Sequence, residues 1–89
     1  MRETIKVLKK SKPYLFWDVA APERLSEDAL VEIVLTRGDF DDVLLLIKNL
    51  GLGRVAEIFF TQIKRKRSNY KKRTENFFAL FFKRHMKDA

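Results

Sequence analysis

The sequence predicts an all-α fold: a compact orthogonal bundle of four to five short helices, in a single domain over residues 1–89. Residues 1–12 form a short N-terminal helix and residues 13–86 the core. Three observations carry this prediction. No stretch alternates polar and apolar residues with period two, whereas apolar residues recur at helical spacing in several stretches. The three glycines and two prolines fall between those stretches, and the connections they mark are short, as in helical bundles. Finally, 89 residues with 46% apolar content can build one core and are too few for two.

Taken in order, Met1–Lys10 carries Ile5, Val7 and Leu8 among charges, a weakly amphipathic helix. Pro13-Tyr-Leu-Phe-Trp-Asp18 is an aromatic connector, and Pro22 keeps Ala21 out of the helical region. Ser26 is an N-cap, with Glu27 and Asp28 in a first turn where the helix dipole favours anions. That helix runs to about Arg37, and Gly38 is expected to close it in the left-handed conformation. Asp39 caps the next helix, Phe40–Leu50, whose Val43, Leu44, Leu45, Leu46, Ile47 and Leu50 point nearly all round and place it centrally. Gly51-Leu52-Gly53 is a tight turn. Val55, Ile58, Phe59 and Ile63 then mark a helix over about Arg54–Lys66, and after a polar break a last helix runs from about Thr74 to Met86.

The pair 40–50 and 54–66 is helix-turn-helix-like, with glycine in a three-residue turn. A recognition helix needs base-reading side chains near its N-terminus. Here Arg54 and Glu57 stand at that end and Gln62 lies late, so an ordinary helical hairpin is the better description and base-specific reading is not expected.

Charge is sorted along the chain. Residues 54–89 carry eleven Lys/Arg against three acids, residues 16–53 carry three against eight, and residues 1–15 add five against one, for a net of +7. Seven of the ten residues 64–73 are basic. Such a cluster repels itself unless an anion is near. Arg54, Lys64, Arg65, Lys66, Arg67, Lys71, Lys72 and Arg73 are therefore candidate phosphate contacts, with Tyr70 available to stack. Five such contacts imply a log–log salt slope near about −4.5, roughly a 500-fold loss of affinity between about 50 and 200 mM salt. The competing readings are a face that docks an acidic protein and a solvated, solubilising face.

The last helix is the second anomaly. Phe77, Phe78, Leu80, Phe81, Phe82 and Met86 spread over about 240° at 100° per residue, more than one side of a terminal helix buries. Phe77, Phe78, Phe81, Phe82 and Met86 are thus candidates for a protein interface, through a homodimer or a partner protein. Alternatively, the N-terminal helix and Trp17 cover them. A membrane-surface role, with Lys83, Arg84 and Lys87 on lipid headgroups, is the weaker option.

Asp39, Asp41 and Asp42 could suggest a metal, but their place at a helix start explains them as a cap and first-turn acids. His85 has no second nitrogen or thiolate ligand beside it, and the chain has no cysteine. No nucleophile–base pairing or Gly-rich phosphate loop presents itself. The expectation is a non-enzyme without cofactor or metal, soluble and cytoplasmic, with no apolar run near the roughly 20 residues of a membrane span.

The run Pro13-x-Leu15-Phe16-Trp17-Asp18, the helix Ile33-Val34-Leu35 ending in Arg37-Gly38-Asp39, the pair Leu50-Gly51, and Thr74-x-Asn76-Phe77-x-x-Leu80 together resemble a family of small, uncharacterised prokaryotic domains. Its members read L-F-W-D, R-V-L-x-x-G-D, Y-G and T-x-N-F-W in that order, and the resemblance covers about residues 13–82. Phe78 stands where the family's Trp is usual, Asn49-Leu50 replaces an aromatic before Gly51, and the loop 64–73 is longer and more basic. Genes of that family often neighbour abortive-infection nucleotidyltransferase toxins. The resemblance therefore implies an antitoxin-like or regulatory role with such a toxin as partner. It also implies that Phe16 and Trp17 plug the bundle, Asp18 caps backbone donors, Gly38 and Gly51 end helices, and Asn76 bonds a backbone or a partner.

Overall fold

The computed structural model describes residues 2–65 and 70–87, with side chains placed for 4–65 and 70–85. Within them lie five α-helices: α1 (Arg2–Ser11), α2 (Glu27–Arg37), α3 (Phe40–Leu50), α4 (Leu52–Ile63) and α5 (Lys72–Lys87). Two short 3-10 turns, Pro13–Phe16 and Pro22–Arg24, join α1 to α2. The predicted all-α bundle is the observed one, and no helix among the described residues is long and apolar enough to cross a membrane.

Local chemistry accounts for most boundaries. The Ser26 hydroxyl accepts from the Ala29 amide at 3.2 Å and starts α2. At α3, Asp39 accepts from the Asp42 amide at 3.3 Å while Asp42 accepts from the Asp39 amide at 3.0 Å. This reciprocal capping box explains why two of the three clustered acids sit there. Only Gly51 separates α3 from α4, at φ 93°, a conformation that L side chains rarely adopt. The turn is therefore shorter than the predicted Gly51–Gly53, and Gly53 lies inside α4.

Gly38 corrects a prediction. Its backbone is extended (φ −80°, ψ 164°), not left-handed. Glycine is required there by a close approach: a Cβ would stand 2.7 Å from the Val34 carbonyl oxygen and 3.0 Å from the Asp42 Cβ. The corner between α2 and α3 is packed too tightly for any side chain.

The core gathers Ile5 and Leu8 from α1, Leu15 and Phe16 from the first 3-10 turn, and Leu30, Val31 and Val34 from α2. Val43 and Leu46 of α3, Val55, Ala56 and Phe59 of α4, and Phe78 and Phe82 of α5 complete it. The helix predicted to be central, α3, buries Asp42, Val43 and Leu46 but leaves Phe40 and Leu44 half exposed. The more enclosed helix is α4, which packs against α2, α3 and α5 and buries five side chains.

Trp17 is the largest departure. Phe16 plugs the bundle as expected, at 5% exposure, but Trp17 is 77% exposed. A 3-10 turn has three residues per turn, so residues i and i+3 project from one side. With Leu15 and Phe16 facing the core, Tyr14 and Trp17 are both turned outward.

Candidate interaction surfaces

The basic cluster straddles the junction between α4 and α5. Lys64 and Arg65 follow the end of α4 and are exposed; Lys71, Lys72 and Arg73 are exposed at the start of α5. Lys66 and Arg67 lie outside the described residues. The start of a helix is the positive end of its dipole, so three cations there are mutually and locally unfavourable, with Glu75 the one acid in that first turn. Among the described residues, Lys64, Lys71, Lys72 and Arg73 make no ion pair.

Two other predicted contacts are already occupied. Arg54 pairs with Glu27 at 3.3 Å and Glu57 at 3.6 Å, and Arg65 pairs with Asp28 at 3.8 Å. The acidic and basic halves read along the chain thus meet across α2 and α4 and partly cancel. Packing of α2 on α4 brings Glu27 and Asp28 onto those guanidiniums, and the Glu27 hydrogen bond holds Arg54 still further above its usual range. Among the described residues, the cations of the candidate phosphate-binding set left without a carboxylate partner are Lys64, Lys71, Lys72 and Arg73.

Tyr70 is also corrected. It is 6% exposed, rests edge-on against Phe59 with ring centroids 5.3 Å apart, and donates its hydroxyl to the Gln62 Oε1. Burial, with Glu32 and Asp28 nearby, pushes its phenol well above the usual range. A ring enclosed in this way has no face free for a base. Gln62, which looked like an idle late amide, is buried as well and donates its Nε2 to the Asp28 carbonyl at 2.8 Å. The Asp28–Gln62–Tyr70 chain of hydrogen bonds pins the polypeptide just ahead of Lys71, so the cations that open α5 start from a fixed point.

On α5 the aromatics divide between two faces. Phe78 and Phe82 are core residues at 7% and 0% exposure, packed on Phe59 at 6.1 and 5.4 Å, and are unavailable to a partner. The N-terminal helix does not cover the rest: Phe77 is 46% and Leu80 71% exposed. The Met86 side chain lies outside the described residues. Phe81 is partly buried and, with Phe77, meets Phe40 of α3 edge to face, at 5.6 and 6.4 Å. Phe40 and Leu44 therefore extend the candidate interface onto α3, beside the exposed Leu80 of α5. Sequence reasoning left them out, although Phe40, Leu44 and Lys48 at i, i+4 and i+8 mark one outward stripe. His85 lies against Phe81 with centroids 4.4 Å apart, and Asn76 is exposed with no side-chain hydrogen bond among the described residues.

The motif residues of the connector form a third cluster. Asp18, expected to cap backbone donors, instead holds Arg37 in a two-pronged ion pair at 2.6 and 2.9 Å. Arg37 also donates to the Leu15 carbonyl at 3.2 Å and lies 5.8 Å from the Trp17 ring centre. The Arg37 bond holds the Asp18 carboxyl below its usual range. Beside it, Lys12 bonds Asp39 at 2.5 Å and reaches Asp42 at 3.4 Å. Asp39 is thereby held low and Lys12 high, each because of the bond to the other. Both clasps tie the connector to the α2–α3 corner, so this set reads as architecture.

The chain matches no protein-family model, and neither the curated proteins nor the solved structures contain a match to it.

Proposed function

We propose that this domain is a non-enzymatic binding module that holds nucleic acid at the α4–α5 junction, largely without regard to base sequence. The observation that carries this reading is the unpaired state of Lys64, Lys71, Lys72 and Arg73 among the described residues, when Arg54 and Arg65 nearby have carboxylate partners. Phosphates would relieve the repulsion among these cations and with the α5 dipole, and the released counterions would drive association. Among the described residues at the junction, Tyr70 and Gln62 are buried and bound to each other, so neither is available to read a base. Fluorescence anisotropy with labelled duplex DNA and duplex RNA across a salt series tests the reading. Affinity should fall linearly on a log–log plot and differ little between unrelated sequences. Absence of binding at about 50 mM salt would refute it.

A second reading concerns the outer face of α5, where Leu80 and Phe77 stand exposed within a continuous aromatic cluster. That face is proposed to contact a partner protein, with the domain acting in the cytoplasm as the antitoxin-like or regulatory half of a two-gene pair, as the motif resemblance implies. Co-expression with the product of the neighbouring gene is the test. A toxic nucleotidyltransferase-like neighbour should be neutralised by the native domain and not by a Leu80→Glu variant. An innocuous neighbour, or equal neutralisation by both, would discard this reading.

A further inference from the structure

We infer that the α3–α5 aromatic face takes an acidic amphipathic helix of a partner protein. This rests on the second reading above and names the chemistry of that partner. On α5, Arg73, Phe77, Leu80 and Arg84 are spaced i, i+4, i+7 and i+11, so they line one face of the helix with cations at both ends and apolar groups between. Arg73 and Arg84 are about 16 Å apart along the axis, three helical turns. Lys83 and His85 border the Leu80–Phe81 end, and Arg73 and Thr74 line the groove where Phe77 meets Phe40. On α3, Leu44 continues the apolar surface and Lys48 follows it one turn on. Arg73, Lys83, Arg84 and Lys48 make no ion pair among the described residues. Two carboxylates flank Phe40 in the chain, Asp41 and Asp39, of which Asp39 lines the Phe40–Phe77 groove and is held by Lys12.

The outward ridges of α5 and α3 meet where Phe40 contacts Phe77 and Phe81, and together they offer apolar surface to a helix bearing anchors at i, i+3, i+4 and i+7. The cationic ends call for acids about three turns apart on that helix. A second copy of this chain is a poor occupant. Antiparallel pairing of two α5 faces sets Arg73 against the other copy's Arg84, parallel pairing sets each arginine against its own equivalent, and both arrangements oppose like charges.

The probe is a fluorescein-labelled helical peptide of about four turns, with leucines at i, i+3, i+4 and i+7 and glutamates in both end turns. Its control carries lysines in place of those glutamates. The native domain should bind the glutamate peptide at least about tenfold more tightly than the lysine peptide. The Leu80→Asn variant should lose about tenfold or more, since a large apolar contact is removed. Lys83→Glu/Arg84→Glu should reverse the preference between the peptides. Circular dichroism and urea midpoints check that both variants fold, as expected for exposed positions.

Equal binding of the two peptides, or binding of neither at millimolar concentration, overturns the inference. So does a Leu80-dependent dimer in sedimentation (a second copy), Leu80-dependent binding of anionic phosphatidylserine vesicles, or a nucleic-acid affinity that falls with Leu80→Asn and not with Lys71→Ala/Lys72→Ala. Should the neighbouring gene's product bind in a Leu80-dependent way while both peptides fail, the inference falls and the second reading stands. Should Leu80→Asn leave both that product and the peptides unaffected, both fall together.

Discussion

Replacing Lys71, Lys72 and Arg73 together by alanine separates cations that are free from cations that are merely numerous. The four junction residues without ion pairs imply a native log–log slope of at least about −3.6 on duplex DNA, at roughly 0.9 per phosphate neutralised. That corresponds to about a 150-fold loss of affinity between about 50 and 200 mM salt. Removing three of the four should flatten the slope by up to about 2.7 and leave at least about a 3.5-fold loss over the same range. The informative comparison is Arg54→Ala/Arg65→Ala, which deletes nearly as much charge from the same region. Those guanidiniums face Glu27, Glu57 and Asp28, so they neutralise fewer phosphates and displace fewer of the cations condensed on the nucleic acid, and the slope should change by less than about one. Anisotropy titrations at five salt concentrations measure both variants. Equal flattening by the two would show that intramolecular pairing does not select the contact residues, and an unchanged slope in the triple variant would remove the junction from consideration.

Substitution of the glycines should give three different results in urea denaturation. Gly38→Ala drives a methyl to 2.7 Å from a backbone oxygen and should cost about 1–3 kcal/mol. Gly51→Ala meets no atom but must adopt φ 93°, costing about 1–3 kcal/mol through backbone strain alone. Gly53→Ala lies exposed in the first turn of α4 in open space and should stabilise by about 0.5–1 kcal/mol; destabilisation there would contradict the helix start at Leu52. Tyr70→Phe strips the Gln62 carbonyl of its donor and should cost about 1–3 kcal/mol, with faster amide exchange at the start of α5 and not in α1; uniform exchange would refute the pinning role. Asp18 and Asp39 have folded values below their unfolded value of about 4. Their contribution to stability is therefore complete above that value and lost as pH falls through the lower, folded one. The urea midpoint should drop below about pH 4, less steeply in Asp18→Asn, and identical pH profiles would show that the Arg37 clasp contributes nothing.

The sequence by itself determined whatever depends on neighbours along the chain. The spacing of Val55, Ile58, Phe59 and Ile63 located α4, the capping chemistry of Ser26 and Asp39 located the starts of α2 and α3, and Gly51 ended α3 where expected. These are interactions over three or four residues, and one helical turn contains all of their partners. What it could not determine depends on partners distant in the chain. Trp17 is as greasy as Phe16, and only the docking of the 3-10 turn decides which faces inward. Tyr70 looked like a stacking residue until Gln62 and Phe59 enclosed it, and Phe78 and Phe82 differ from Phe77 only in facing α4.

The sharpest case is charge. A count along the chain assigns every cation of residues 54–73 to one basic surface. The packing of α2 on α4, which brings together residues twenty-seven or more positions apart, withdraws Arg54 and Arg65 from it and leaves Lys64, Lys71, Lys72 and Arg73 exposed. Charge density is a property of composition. Which charges remain available to a ligand is decided by Coulomb interactions at a few ångströms, and those distances exist only once the helices have packed.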